Sequence, residues 1–158
     1  MYVLTTYIIE MKKLFLGLAT LIVSSASFAD CFINYSANDS LTKLIVEKGF
    51  NFDGYDKLCK RLNANDAGVA FKTVTQISPY QTTAGVVLSM YPKGNKYKGV
   101  TFESVNWLSY TQERTTTAQN EELYSLAMYA LKDLANTVNE DKLKRMLIEV
   151  NEIRKATK

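Results

Sequence analysis

The segment Thr82-Thr-Ala-Gly-Val-Val-Leu-Ser-Met-Tyr91 has the clearest structural pattern in the chain. Ala84, Val86, Leu88 and Met90 fall on one parity, and Thr83, Gly85, Val87 and Ser89 fall on the other. Because successive side chains of a β-strand point to opposite faces, this period of two predicts a strand with one buried face. This strand forms the centre of the predicted sheet.

Further strands are predicted on both sides of this central segment. Val69 to Ile77 is rich in β-branched residues, and Ser78-Pro79 ends it. Gly99 to Tyr110 follows a polar turn that runs from Pro92 to Lys98. Since short connections join antiparallel neighbours, the three strands predict a small antiparallel meander.

The third predicted strand contains a break in its alternation. Val100 and Phe102 fall on one parity, whereas Val105 and Trp107 fall on the other. A β-bulge near Glu103-Ser104 would bring the two halves into phase. A strand that is apolar on both faces is the alternative interpretation.

Helices are predicted before and after the strands. Apolar residues recur at helical spacing in Asn38 to Lys48 and in Asp53 to Asn63. A long apolar helix starts near Thr116, and a last helix follows a break at Asn136 to Asn139. The order α-α-β-β-β-α-α predicts an α+β fold, a three-stranded antiparallel meander packed against helices on one face.

Residues 1–29 are interpreted as a secretory signal peptide. Lys12 and Lys13 precede the apolar run Leu14 to Val23, and small residues lead to a predicted cleavage site after Ala29. The apolar run is shorter than the roughly 20 residues that span a bilayer, which disfavours the alternative of an uncleaved membrane anchor. Residues 1–10 add nothing to this pattern, and we interpret them as a mis-assigned start, with translation beginning at Met11.

Cleavage would leave residues 30–158 as a single exported α+β domain, periplasmic or secreted, with no stable membrane anchor. Asp30 before Cys31 argues against lipid modification of that cysteine. The only two cysteines, Cys31 and Cys59, lie in the mature part. In an oxidising compartment they predict one disulfide bond, and two buried reduced thiols are the alternative.

Composition excludes several classes of function. The chain has no histidine, so it has neither Ser-His-Asp nor Cys-His catalysis, nor a histidine-ligated metal. The acidic segment Asn51 to Asp56 lacks the spacing of an EF-hand, and we predict no metal and no cofactor. The net charge of +3 falls to +2 once Lys12, Lys13 and Glu10 are removed, which gives no reason to expect nucleic-acid binding.

The most distinctive surface candidate is the predicted hairpin tip Tyr91-Pro-Lys-Gly-Asn-Lys-Tyr-Lys98, which interleaves lysines with tyrosines. Such a combination suits contact with an anionic or polar partner. The predicted partner-binding residues are Tyr91, Lys93, Lys96, Tyr97 and Lys98. A solubilising turn whose tyrosines pack on the sheet is the alternative.

These observations favour a small exported binding module, not an enzyme, that recognises a protein of the cell envelope. Inhibitors, immunity-type proteins and envelope adaptors are the classes that fit. The first alternative is a cell-wall-polymer hydrolase that uses carboxylates such as Glu103, Glu113, Glu121 and Glu122. The second is a structural component of an envelope assembly. The oligomeric state does not follow from these patterns.

Overall fold

The structure is a computed structural model that describes residues 31–94 and 99–156. The predicted signal peptide lies outside the described residues. So do Lys96, Tyr97 and Lys98 of the predicted hairpin tip.

The described residues form a mixed four-stranded sheet and four α-helices, with one 3₁₀ turn before the last helix. The elements are β1 (Tyr35–Ser36), α1 (Asp39–Lys48), α2 (Tyr55–Ala64), β2 (Ala67–Ile77), β3 (Thr82–Pro92), β4 (Val105–Thr111), α3 (Thr116–Ala135), the 3₁₀ turn (Thr137–Asn139) and α4 (Glu140–Ala156). None of these helices is long and apolar enough to cross a membrane.

The sheet corrects the prediction of three strands and of the order α-α-β-β-β-α-α. β2, β3 and β4 form the predicted antiparallel meander, but β1 precedes α1 and pairs in parallel with β2. Tyr35 lies opposite Val69, and Ser36 lies opposite Ala70. A strand of two residues has no periodic pattern of its own, so only its tertiary neighbours reveal it.

The central strand β3 confirms the predicted alternation. It pairs with β2 along its whole length, from Pro92 opposite Ala67 to Thr82 opposite Ile77. It also pairs with β4 from Leu88 opposite Val105 to Thr82 opposite Thr111. The predicted apolar face is buried throughout: Ala84, Val86, Leu88 and Met90.

All four helices bury their apolar faces in the core that covers this side of the sheet. α1 is capped by Asn38, whose side chain accepts a hydrogen bond from the Leu41 amide at 2.9 Å. The other face of the sheet is open, and Val74, Leu108 and Tyr110 on it are each more than 70% exposed.

The third predicted strand is shorter than expected, and the predicted bulge is absent, because β4 pairs with β3 without interruption from Val105 to Thr111. Val100 and Phe102 precede this strand and belong to neither of its faces. β4 begins only at Val105, and residues 99–104 form a loop. Thr101 connects this loop to β3. Its amide donates to the Met90 carbonyl at 2.8 Å, and its hydroxyl accepts from the Met90 amide at 3.0 Å. The break in alternation therefore marks the end of a loop.

The predicted disulfide between Cys31 and Cys59 is present. It joins the segment before β1 to the buried face of α2, where Cys59 is fully buried. Asn63 supports the junction, since its side-chain amide donates to the Cys31 sulfur and to the Phe32 carbonyl, both at 3.1 Å. The disulfide thus holds the chain in position to add β1 to the sheet.

Gly54 tests the packing between α2 and α3. Its φ of +88° and ψ of 14° are left-handed, and a Cβ on it would lie 2.7 Å from the Cβ of Ala135. We expect Gly54→Ala to lower the free energy of unfolding by about 3 kcal/mol, through backbone strain and through this collision. In an Ala135→Gly background the collision is absent, so the same substitution should cost only about 1 kcal/mol. Urea denaturation of the single and double variants measures the difference, and equal losses in the two backgrounds would contradict this packing.

Candidate interaction site

Residues 99–104, the part of the β3–β4 connection that leads into β4, are held by hydrogen bonds from two sides. We call this segment the Phe102 loop. Thr101 is 4% exposed, and besides its two bonds to Met90 its hydroxyl donates to the Glu103 carbonyl at 2.8 Å. The loop is therefore attached to the end of β3 by a buried side chain.

Helix α4 holds the same loop from the other side. The backbone amides of Phe102 and Glu103 donate to one carboxylate oxygen of Glu149, at 2.6 and 3.2 Å. Successive amides that converge on a single anion form a concave binding arrangement. Here the anion is part of the protein, so the bonds fix the backbone on either side of the Phe102 side chain.

An ion pair reinforces this attachment. Arg145 donates from Nε and Nη2 to the two carboxylate oxygens of Glu103, at 2.9 and 2.7 Å. Two parallel bonds restrict orientation more than a single bond does. Hydrogen bonding by the Arg145 guanidinium lowers the pKa of Glu103, and the carboxylate in turn raises the pKa of Arg145.

The loop-binding residues of α4 form a stripe beside its buried face. Lys142, Arg145 and Glu149 follow the spacing of one helical side, and the Lys142 ammonium lies 3.5 Å from the Ser104 carbonyl. Leu143, Met146 and Val150, one position further along, are buried in the core. The position of the loop is therefore tied to the packing of α4.

The Phe102 side chain points away from this well-held backbone and is 99% exposed. Leaving a phenylalanine in water forgoes about 1.5–3 kcal/mol relative to burying it. An aromatic ring presented on a preordered backbone is the typical form of an anchor residue at a protein interface. Phe102 was not among the residues predicted to bind a partner.

The described part of the predicted hairpin site lies at the same end of the sheet. The Tyr91 ring covers Gly68, where a Cβ would come within 2.5 Å of it, and its hydroxyl hydrogen-bonds to Asn34. Partial burial raises the pKa of Tyr91. The Lys93 ammonium hydrogen-bonds to Asn63, the residue that also contacts the disulfide.

Tyr91 and Lys93 therefore support the base of the hairpin through contacts within the chain. Lys96, Tyr97 and Lys98 lie outside the described residues. The partner-binding role of the five residues stays a prediction. The structure adds Phe102, four residues beyond the predicted hairpin tip in sequence, to the surface at this end of the sheet.

The carboxylates considered for hydrolysis have other surroundings. Glu103 pairs with Arg145, and Glu121 on α3 pairs with Lys48 of α1. A general acid needs a raised pKa, whereas the pKa of Glu103 is lowered. Across residues 31–94 and 99–156, no three side chains of the metal-ligating types come together in a group that could hold a metal ion.

Comparison of the chain with models of protein families, with curated proteins and with solved structures found no match. The interpretation of this site therefore rests on its geometry.

The Glu103–Arg145 pair predicts a specific dependence of stability on pH. A carboxyl whose pKa is lowered by folding stabilises the protein above its unfolded pKa, about 4.3 for glutamate, and loses this effect as the pH falls through the folded pKa. We expect Glu103→Gln to be less stable than wild type above about pH 5, and the difference to close under more acidic conditions.

Urea denaturation of both proteins across this pH range measures the difference, because the other carboxyls titrate in both and cancel. Glu152→Gln provides a control, since Glu152 forms no ion pair with another described residue. A difference between wild type and Glu103→Gln that does not change with pH would show that the pair contributes no charge interaction.

Proposed function

We propose that the chain is a small exported binding module that recognises a protein partner in the cell envelope, with Phe102 as its anchor. The observation that carries the proposal is a fully exposed phenylalanine on a loop held by β3 on one side and α4 on the other. An inhibitor, an immunity-type protein and an envelope adaptor would each use such a site.

The rigidity of the loop supports this function. Binding is weakened when loops and side chains must be ordered at the interface. The bonds from Glu149, Met90 and Arg145 order the Phe102 loop before any partner arrives. The free energy of burying the phenyl ring would then contribute to affinity with little ordering cost.

The surroundings of Phe102 indicate what kind of partner surface fits. Protein interfaces combine an apolar centre with a polar rim. The phenyl ring supplies the centre, and the Glu103–Arg145 pair supplies part of the rim. With Lys96 and Lys98 predicted on the neighbouring hairpin, we expect the partner to offer an apolar pocket for one ring, bordered by acidic side chains.

The cellular location is part of the same proposal. A disulfide between Cys31 and Cys59 is compatible with an oxidising compartment, since such bonds are rare in the cytosol. Together with the predicted signal peptide, this supports a periplasmic or secreted protein.

Replacement of Phe102 should impair binding without affecting the fold. Because its side chain is 99% exposed, Phe102→Ala should leave the thermal midpoint unchanged. Loss of an interface anchor typically costs about 2 kcal/mol, or roughly a 30-fold loss of affinity. Tyr80→Ala is a matched control, because Tyr80 is 87% exposed on the turn at the opposite end of the sheet.

The partner can be found by placing a photoreactive phenylalanine analogue at position 102 or, as a control, at position 80. We expect position 102 alone to yield one discrete adduct with an exported protein in cells that make this chain. Affinity for that protein is then measured for wild type and both alanine variants. The proposal would be contradicted by identical adducts from the two positions or by adducts with lipid only. Equal affinity of wild type, Phe102→Ala and Tyr80→Ala for the captured protein would also contradict it.

A further inference from the structure

β4 lies at one edge of the four-stranded sheet. Among residues 31–94 and 99–156, β3 is the only strand that pairs with it. Its seven residues, from Val105 to Thr111, include no charge and no proline. Edge strands of soluble proteins commonly carry such residues, which prevent pairing with other chains. This edge is therefore chemically open to another strand.

Both faces beside the β4 edge expose apolar surface. On the open face, Leu108 and Tyr110 are each 73% exposed. A groove of about 360 Å³ lies over Gly85 between Leu108 and Val74. On the helical face, the Trp107 ring lies 5.7 Å from the ring of Tyr129, which is itself 52% exposed. A strand added at this edge would cover part of both surfaces.

We propose that a second copy of the chain occupies this edge, β4 pairing antiparallel with β4 about a two-fold axis perpendicular to the sheet. The two four-stranded sheets would become one continuous sheet. The open faces of both copies would lie on the same side, and so would the helices. This inference is independent of partner binding through Phe102.

The sequence of β4 is compatible with self-pairing over its full length. With the axis at Leu108, each Leu108 faces its own counterpart, and Asn106 faces Tyr110 of the other copy. On the helical face, Trp107 then lies opposite Ser109, and the two ends of β4 meet. Every pair shares a face of the sheet, and no like charges are opposed.

The opposite edge of the sheet explains why a second copy would close the assembly. That edge is occupied by β1 at Val69 and Ala70, and the Asn38 side chain donates to the Thr73 hydroxyl beyond it at 2.9 Å. Pairing of β4 with β2 would leave only the far half of β2, from Phe71 to Ile77, for backbone bonds, and it would join unlike surfaces, so it would extend without limit. Pairing of β4 with itself uses the same surface on both copies and stops at two.

Sedimentation equilibrium of the purified, disulfide-bonded chain tests the proposal. We expect the weight-average mass of wild type to rise toward that of a dimer with concentration. Leu108→Lys places a charge on the edge and opposes two charges at the axis, so it should remain monomeric. Val46→Lys is the matched control, because Val46 is 76% exposed on α1, and it should behave as wild type.

The register is tested by single cysteines, with circular dichroism confirming that each variant is folded. Oxidation should link Leu108→Cys to itself, because the two residues would face each other within disulfide distance. Asn106→Cys should link to Tyr110→Cys in a mixture but not to itself.

A monomeric wild type at every concentration would overturn the proposal, and so would a dimer that Leu108→Lys does not weaken. Equal cross-linking from Leu108→Cys and from Val46→Cys would do the same. If Leu108→Lys fails to fold, the cysteine variants decide the question.

Discussion

Burial of one face of β3 is the constraint on which the other features depend. Hydrogen bonds to β2 and β4 satisfy the backbone of β3 on both sides. What its burial contributes to stability therefore depends on the side chains that β3 itself presents to the core. Because Ala84, Val86, Leu88 and Met90 all point the same way and are buried, the helices must cover that side. The opposite face is then left exposed by the same arrangement.

Helix α4 links this core to the surface at which binding is proposed. Its buried residues, including Met146 and Val150, pack against the core, while Arg145 and Glu149 on the adjoining side hold the Phe102 loop. A helix that is firmly packed on one side provides a rigid support on the other. The exposed ring of Phe102 thus takes its position from the core and not from the loop sequence alone.

Much of the fold was predictable because its signals are local. The alternation in β3, the helical spacing in α1 and the break near Asn136 each depend on residues close together in the chain. β1 was missed because two residues show no period, and its pairing with Val69 and Ala70 is formed between distant segments. The Phe102 loop was predicted to be part of a strand. In the structure, Thr101 bonds to the Met90 amide through its side-chain hydroxyl and not through its backbone carbonyl, and the sequence does not show this difference. The reversal of parity between Phe102 and Val105 was the one signal of this loop.

The disulfide has a further consequence for how the chain would respond to force. Cys31 and Cys59 are 28 residues apart in sequence and enclose β1 and α1. A pull on the chain ahead of Cys31 would pass through the sulfur linkage directly to α2, so the two-residue pairing of β1 would carry almost none of the tension. The shortest strand of the sheet is thereby mechanically shielded, and such a pull would first load the contacts between α2 and the core.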